Sequence, residues 1–121
     1  MTDAPAGNPL LKASTIGALL QIAMVVGGHF MPQLAQLFPV LGTGLGGTAG
    51  VLFGMFAKGA SGGALAAGGA AAGGLSGLVG SVVSMAMGDA TGSTVAIATG
   101  STVVSGLVGS FLGKVLAGKS A

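Results

Sequence analysis

A chain of 121 residues that is 51% hydrophobic and only 5% charged cannot wet the surface of a soluble domain, which carries about 25% charged side chains. Its net charge of +2 rests on four scattered lysines, with no arginine, tyrosine or tryptophan, so nothing resembles a nucleic-acid-binding patch. The 26 glycines follow no G-X-Y period, which excludes collagen, and the lack of cysteine excludes disulfides and thiolate metal sites.

Mean hydropathy is +0.94, and the large apolar residues come in blocks of roughly membrane-crossing length. The pattern predicts an all-α protein, a single integral membrane domain over 1–121. Four antiparallel transmembrane helices, near 10–29, 34–57, 65–87 and 94–116, are joined by short loops and packed closely through Gly and Ala.

Residues Met1–Gly7 are polar and expected to fray. Asp3 precedes any lysine, and no small-x-small site ends the first apolar run, so it reads as an uncleaved span. Asn8-Pro9 is a helix start, with Asn as cap and Pro at the first helical position. Lys12 lies in the first turns, where its stem can snorkel to the headgroups. Ser14, Ala18, Gln21, Val25 and Gly28 share one stripe, so Gln21 is expected to face the bundle and donate across helices. His29 closes the span at the membrane face.

The second span opens near Gln33 and passes Pro39, which should bend or loosen its first turns. Gly42, Gly46, Gly50 and Gly54 then recur every fourth residue, three overlapping GxxxG steps. In a membrane, where lipid is as apolar as leucine, helices associate through close backbone approach over such small residues. Gly44 and Thr48, with Gly47 nearby, form a second small ridge on the other side. A helix small on two sides is expected to sit centrally. The ridge serves either packing within one four-helix unit or self-assembly of several copies.

Lys58 follows, and Gly59–Gly63 reads as a loop. Ala64–Gly74 is almost wholly Ala and Gly. Read with Leu75–Met87 it makes a third span, whose weakly hydrophobic half should be enclosed by protein. Read instead as a linker over Ala57–Gly74, it leaves about 14 residues, too few to cross. The span reading is preferred.

Gly88–Ser93 is a turn by composition. The fourth span follows, ending at Lys114 and Lys119. The hexapeptide Ser-Gly-Leu-Val-Gly-Ser occurs at 76–81 and at 105–110. Gly73 and Gly77 continue a small-residue stripe on the third span, as Ser101, Ser105, Gly109 and Gly113 do on the fourth. An inverted repeat suits a transporter, although chance or shared packing needs are the better explanation of six residues from so small an alphabet. Thr99, Ser101, Thr102 and Ser105 either line a polar path or bond their own helix carbonyls.

Four spans place every lysine on one side and His29 with Asp89 on the other. By the positive-inside rule both termini are cytoplasmic, and a bacterial inner membrane is the expected location.

The glycine-ridged second span is similar to one helix of the rotor-ring subunits of rotary ATPases. It lacks their mid-membrane carboxylate, so a proton-translocating ring is not expected. His29 and Asp89 either pair or leave His29 to ligate a metal or pigment; a single His without a second ligand reads as an interfacial residue, and neither has the partners that catalysis requires. The reading is therefore no enzyme, no cofactor, no metal and no catalytic residue. The expected role is a structural or accessory subunit. Its partners are the lipid bilayer and either other copies or a larger membrane complex. A holin-like pore former or small transporter is the alternative.

Overall fold

The computed structural model describes residues 8–120, the last two by their backbone alone. The expectation for Met1–Gly7 lies outside the described residues. All regular structure among them is helical: α1 (Pro9–Phe30), α2 (Pro32–Ala35), α3 (Phe38–Phe56), α4 (Gly62–Ala86) and α5 (Gly92–Ser120). Four of these are long and apolar enough to cross a membrane.

Helix α1 starts where its cap chemistry dictates. The Asn8 side chain accepts from the Leu11 N–H at 2.9 Å, and Pro9 occupies a position whose N–H would have no partner in any case.

The next span differs from its expected bounds. A continuous helix from 34 would drive the Pro39 ring against the Ala35 carbonyl and remove one backbone hydrogen bond. The chain instead makes one separate turn, α2, and begins again at Phe38, so that Pro39 falls in the first turn of α3. Pro39 starts a helix rather than bending one.

Gly59, at φ +80°, turns the chain after α3, and Ser61 caps α4 by accepting from the Ala64 N–H at 3.2 Å. The connection is therefore confined to Ala57–Ser61, and Ala64–Gly74 is helical. Low helix propensity does not melt this glycine-rich half. Within a bilayer every unpaired backbone group costs several kcal/mol, so helix is the only affordable state. A second left-handed glycine, Gly88 at φ +81°, leads into the turn before α5.

In cross-section the bundle is a rhombus. Helices α3 and α4 form the short diagonal, each touching the three other long helices, while α1 and α5 stand at opposite corners. Centrality is thus shared between α3 and α4. Of the second ridge of α3 only Gly47 packs on a neighbour, against α5: a Cβ at Gly44 would meet nothing within 4 Å, and Thr48 is exposed and bonded back to the Gly44 carbonyl. The helix reaches its neighbours through one broad face.

Large side chains are on the outside. Leu65 is the largest apolar side chain fully enclosed, and the other buried apolar residues are Ala13, Val25, Ala49, Ala72 and Phe53. Leu11, Leu19, Val40, Ile97, Val104 and Leu112 are all more than half exposed, an apolar surface far beyond what a soluble monomer presents.

Backbone meets backbone in the interior. Where a side chain would leave Gly50, the chain meets the Gly106 carbonyl, and at Gly54 it meets that of Ser110. In return Gly109 points at the Gly47 carbonyl and Gly113 at that of Val51. Across the α4–α5 seam Gly73 points at the Thr102 carbonyl, and Gly106 at that of Gly69. Each glycine thus directs an α-hydrogen at a carbonyl oxygen, the geometry of a Cα–H···O contact worth about 0.5–1 kcal/mol. Dispersion between the two backbones adds to it.

Candidate functional site

The two ends of the bundle differ. Lys12, at the start of α1, places its ammonium 4.5 Å from the ring centre of Phe56, at the end of α3. Lys58 and Lys114 share that end. At the other end, His29 of α1 meets Asp89 of the α4–α5 turn, Nδ1 to Oδ2 at 2.7 Å. Both side chains are about one-third exposed, at 37% and 34%. Among the described residues no third His, Cys, Asp or Glu joins them.

Tight packing fills the lysine half. A Cβ added at Gly46 would lie 2.6 Å from the Thr102 Cβ, and one at Gly77 would lie 2.7 Å from that same atom. Thr102 is therefore clamped between α3 and α4 and is only 2% exposed. Its hydroxyl donates to its own helix, with the Ala98 and Thr99 carbonyls both at 3.0 Å. Gly17, where a Cβ would lie 2.7 Å from the Ala49 Cβ and 2.9 Å from the Ser76 Cβ, joins α1 to the same plane.

Above this plane the helices splay. Gly42, the first glycine of the α3 series, has room: a Cβ there would sit 3.7 Å from Met24 Cε and 3.8 Å from Gln21 Oε1, ordinary contact distances. The gap is a crevice of about 190 Å³. Its inner end is Gly77 and Thr102, and it extends to Ala90 and Thr94 near the His29–Asp89 end. Phe38 shapes one wall, its ring seated on Gly28, where any side chain would collide with it.

Gln21 controls the inner wall. It is 2% exposed, and its Nε2 donates to the Gly42 carbonyl at 2.9 Å, joining α1 to α3. Its stem lies on Gly80, where a Cβ would approach the Gln21 Cβ to 2.7 Å. One side chain thus ties three helices together. It stands about 13 Å below Phe30, nine residues at ~1.5 Å rise each, and so near the middle of the membrane.

The remaining polar positions separate. Ser101 is half-buried and lines the crevice. Ser105 lies beyond the Thr102 plug, donates to the Thr102 carbonyl at 3.3 Å, and would be 3.7 Å from a side chain at Gly47. Thr99 is not among the crevice-lining residues, and its hydroxyl is buried without a partner, as is that of Ser14. Thr99, Ser101, Thr102 and Ser105 therefore form no continuous path.

The two hexapeptides do matching jobs. In each, the first glycine faces the helix that bears the other copy: Gly77 meets α5 and Gly106 meets α4. The second glycine faces another neighbour, Gly80 against α1 and Gly109 against α3. Each leading serine bonds back to the carbonyl three residues earlier, Ser76 to Gly73 and Ser105 to Thr102. The closing serines diverge. Ser81 bonds to Gly77 in its own helix, whereas Ser110 also reaches the Leu65 carbonyl of α4 at 2.8 Å.

Two features escaped the sequence reading. Ser84 lines the crevice at 4% exposure, and Ser110 carries the cross-helix bond. Both were legible only as small residues on a glycine-rich face. Comparison with known protein families, with curated proteins and with solved structures finds no match for the chain.

Proposed function

We propose that the protein is a non-enzymatic structural or accessory subunit of a membrane assembly. The observation that carries this reading is the way the interior is spent. Between the lysines at one end and His29–Asp89 at the other, no ionisable side chain enters the bundle. Its contents are close-packed glycine, alanine and serine, with one cross-bundle carboxamide. The glycine ridges are engaged within the chain, so a rigid body results, and its exposed leucines, valines and Ile97 face lipid or a partner. Association with other copies or with a larger complex then uses that outer surface. Chemical crosslinking and native-detergent sizing from the source membrane test the reading: a discrete assembly larger than the monomer is expected, and free monomer alone refutes it.

The crevice favours a second reading, a small transporter or pore former, in which the Ser101-bearing wall of α5 lies on the path. In the packing described above, the Gly46–Thr102–Gly77 contact closes that path. Flux through reconstituted liposomes, reduced by Ser105→Leu, would support this role, and absence of flux leaves the accessory reading ahead.

For orientation, we propose a bacterial inner membrane with both termini cytoplasmic, supported by the gathering of Lys12, Lys58 and Lys114 at one end. Reporter fusions at Gly62 and Ala121 should read cytoplasmic, and one at Ala90 outside. A Gly62 fusion reading outside refutes it.

A further inference from the structure

The geometry points to a binding site in the crevice for a small uncharged amphiphile: an apolar body of about one ring in size, carrying a single hydroxyl or amide donor. Size comes first. An apolar cavity of about 150 Å³ holds one benzene. The crevice, at about 190 Å³, has room for that and one or two further atoms. Charge comes second. No ionisable side chain lines it, so a charged ligand would lose its hydration and find no counter-ion. The walls are mostly apolar, with Met24, Val25, Phe38, Ile97 and Ala98 among them.

The donor requirement comes from Gln21. Its Nε2 is committed to the Gly42 carbonyl, which fixes the carboxamide in place. Its Oε1 lies between Gly80 and Gly42, both on the crevice lining, where an added Cβ would come within 3.4 Å and 3.8 Å of it, and it makes no hydrogen bond to any group among the described residues. A carboxamide oxygen only accepts, so its complement is an N–H or O–H on the ligand. The Ser84 and Ser101 hydroxyls, which line the same space and likewise bond no described group, can turn to accept or donate as the ligand allows. This site is independent of whether the protein is an accessory subunit or a transporter.

The isoleucines supply the test, because the chain has only three. Ile97 lines the crevice but is also 71% exposed, so it reports both the crevice and lipid, whereas Ile16 and Ile22, on α1 and outside the crevice lining, report partition into lipid alone; binding is the saturating component at Ile97 beyond their drift. The full-length protein in lipid nanodiscs, labelled with ¹³C at the isoleucine δ1 methyls, is titrated with benzyl alcohol, toluene and benzoate. The Ile97 signal should move along a saturating curve with benzyl alcohol, while toluene and benzoate bind at least tenfold more weakly. Gln21→Leu should weaken benzyl alcohol at least tenfold. Ala98→Leu, which narrows the crevice and leaves the carboxamide intact, should abolish saturation, so the outcome does not hang on one variant's folding. Three results would overturn the assignment: Ile97 drifting linearly with Ile16 and Ile22, toluene or benzoate saturating as tightly as benzyl alcohol, or Ala98→Leu leaving the curve unchanged.

Discussion

Gly50→Ala isolates the contribution of backbone approach between α3 and α5. An alanine Cβ at this position would lie 2.6 Å from the Gly106 carbonyl carbon and 2.7 Å from its Cα, and closer still to its oxygen. These are backbone atoms, so no side chain can rotate away. Restoring an ordinary contact of 3.4 Å from the 2.7 Å Cα distance alone takes about 0.7 Å, and because the oxygen is nearer, the two helices must separate locally by at least that much. A radial gap of that size forfeits between a quarter and a half of each dispersion well along the seam. The neighbouring Gly54–Ser110 and Gly109–Gly47 contacts loosen with it. Overpacking of this kind costs about 1–3 kcal/mol. Higher helix propensity of alanine offsets little, because a helix separated from its bundle remains a helix in lipid.

The chain has no cysteine, so Lys58→Cys with Gly118→Cys places one fluorophore pair at the lysine end of α3 and α5. Energy transfer during reversible SDS titration in mixed micelles then reads the separation of those helices. Gly50→Ala should lower unfolding stability by about 1–3 kcal/mol. Gly44→Ala and Gly100→Ala, whose added Cβ meets nothing within 4 Å, should stay within about 0.5 kcal/mol of the parent. If Gly50→Ala matches those two controls, the backbone contact does not carry the α3–α5 association.

Further outcomes follow from the same geometry. Gly42→Ala should be tolerated, whereas Gly46→Ala, facing Thr102, should be destabilised like Gly50→Ala; equal effects in the same titration would contradict the splaying of α3 from its neighbours. Gln21→Leu removes the bond to Gly42 and should cost about 0.6–2 kcal/mol, the range for interhelical hydrogen bonds in membranes. Ser110→Ala loses the link to Leu65 and should fall in the same range of about 0.6–2 kcal/mol, while Ser81→Ala, which bonds only its own helix, should cost less. A double-mutant cycle of His29→Ala and Asp89→Ala should give a coupling of at most ~1 kcal/mol, because both groups are partly exposed. That coupling should shrink as salt is raised, and one insensitive to salt would show that the pair is not electrostatic.

How much of this was legible from residues alone depended on the range of the interaction involved. Asn8-Pro9 as a helix start, Gly88 in a turn and four apolar runs are all local properties, readable over a few residues. The misplaced start of the second span, at 34 rather than Phe38, is an error of the same local kind. Pro39 within an apolar run predicts a distorted helix, whereas its clash with position 35 is avoided by starting one at Phe38. Ala64–Gly74 was harder, since composition alone allows a linker. Span length decided it, because the remaining residues cannot cross.

Sequence by itself therefore determined that this is a four-span helical membrane protein, with lysines at one end and His29 with Asp89 at the other. Hydropathy and charge suffice because the bilayer imposes one length scale on every crossing. Tertiary structure decided which face of each helix meets which neighbour. Gly46 and Gly54 lie against α5 and Gly42 opens onto a crevice, yet all three are the same residue in one four-residue series, and a Cβ at Gly44 beside them would meet nothing within 4 Å. The difference lies in rotation and splay, set by where bulky residues elsewhere permit two backbones to touch. A glycine carries no side chain from which its partner can be read; it records only that something comes close.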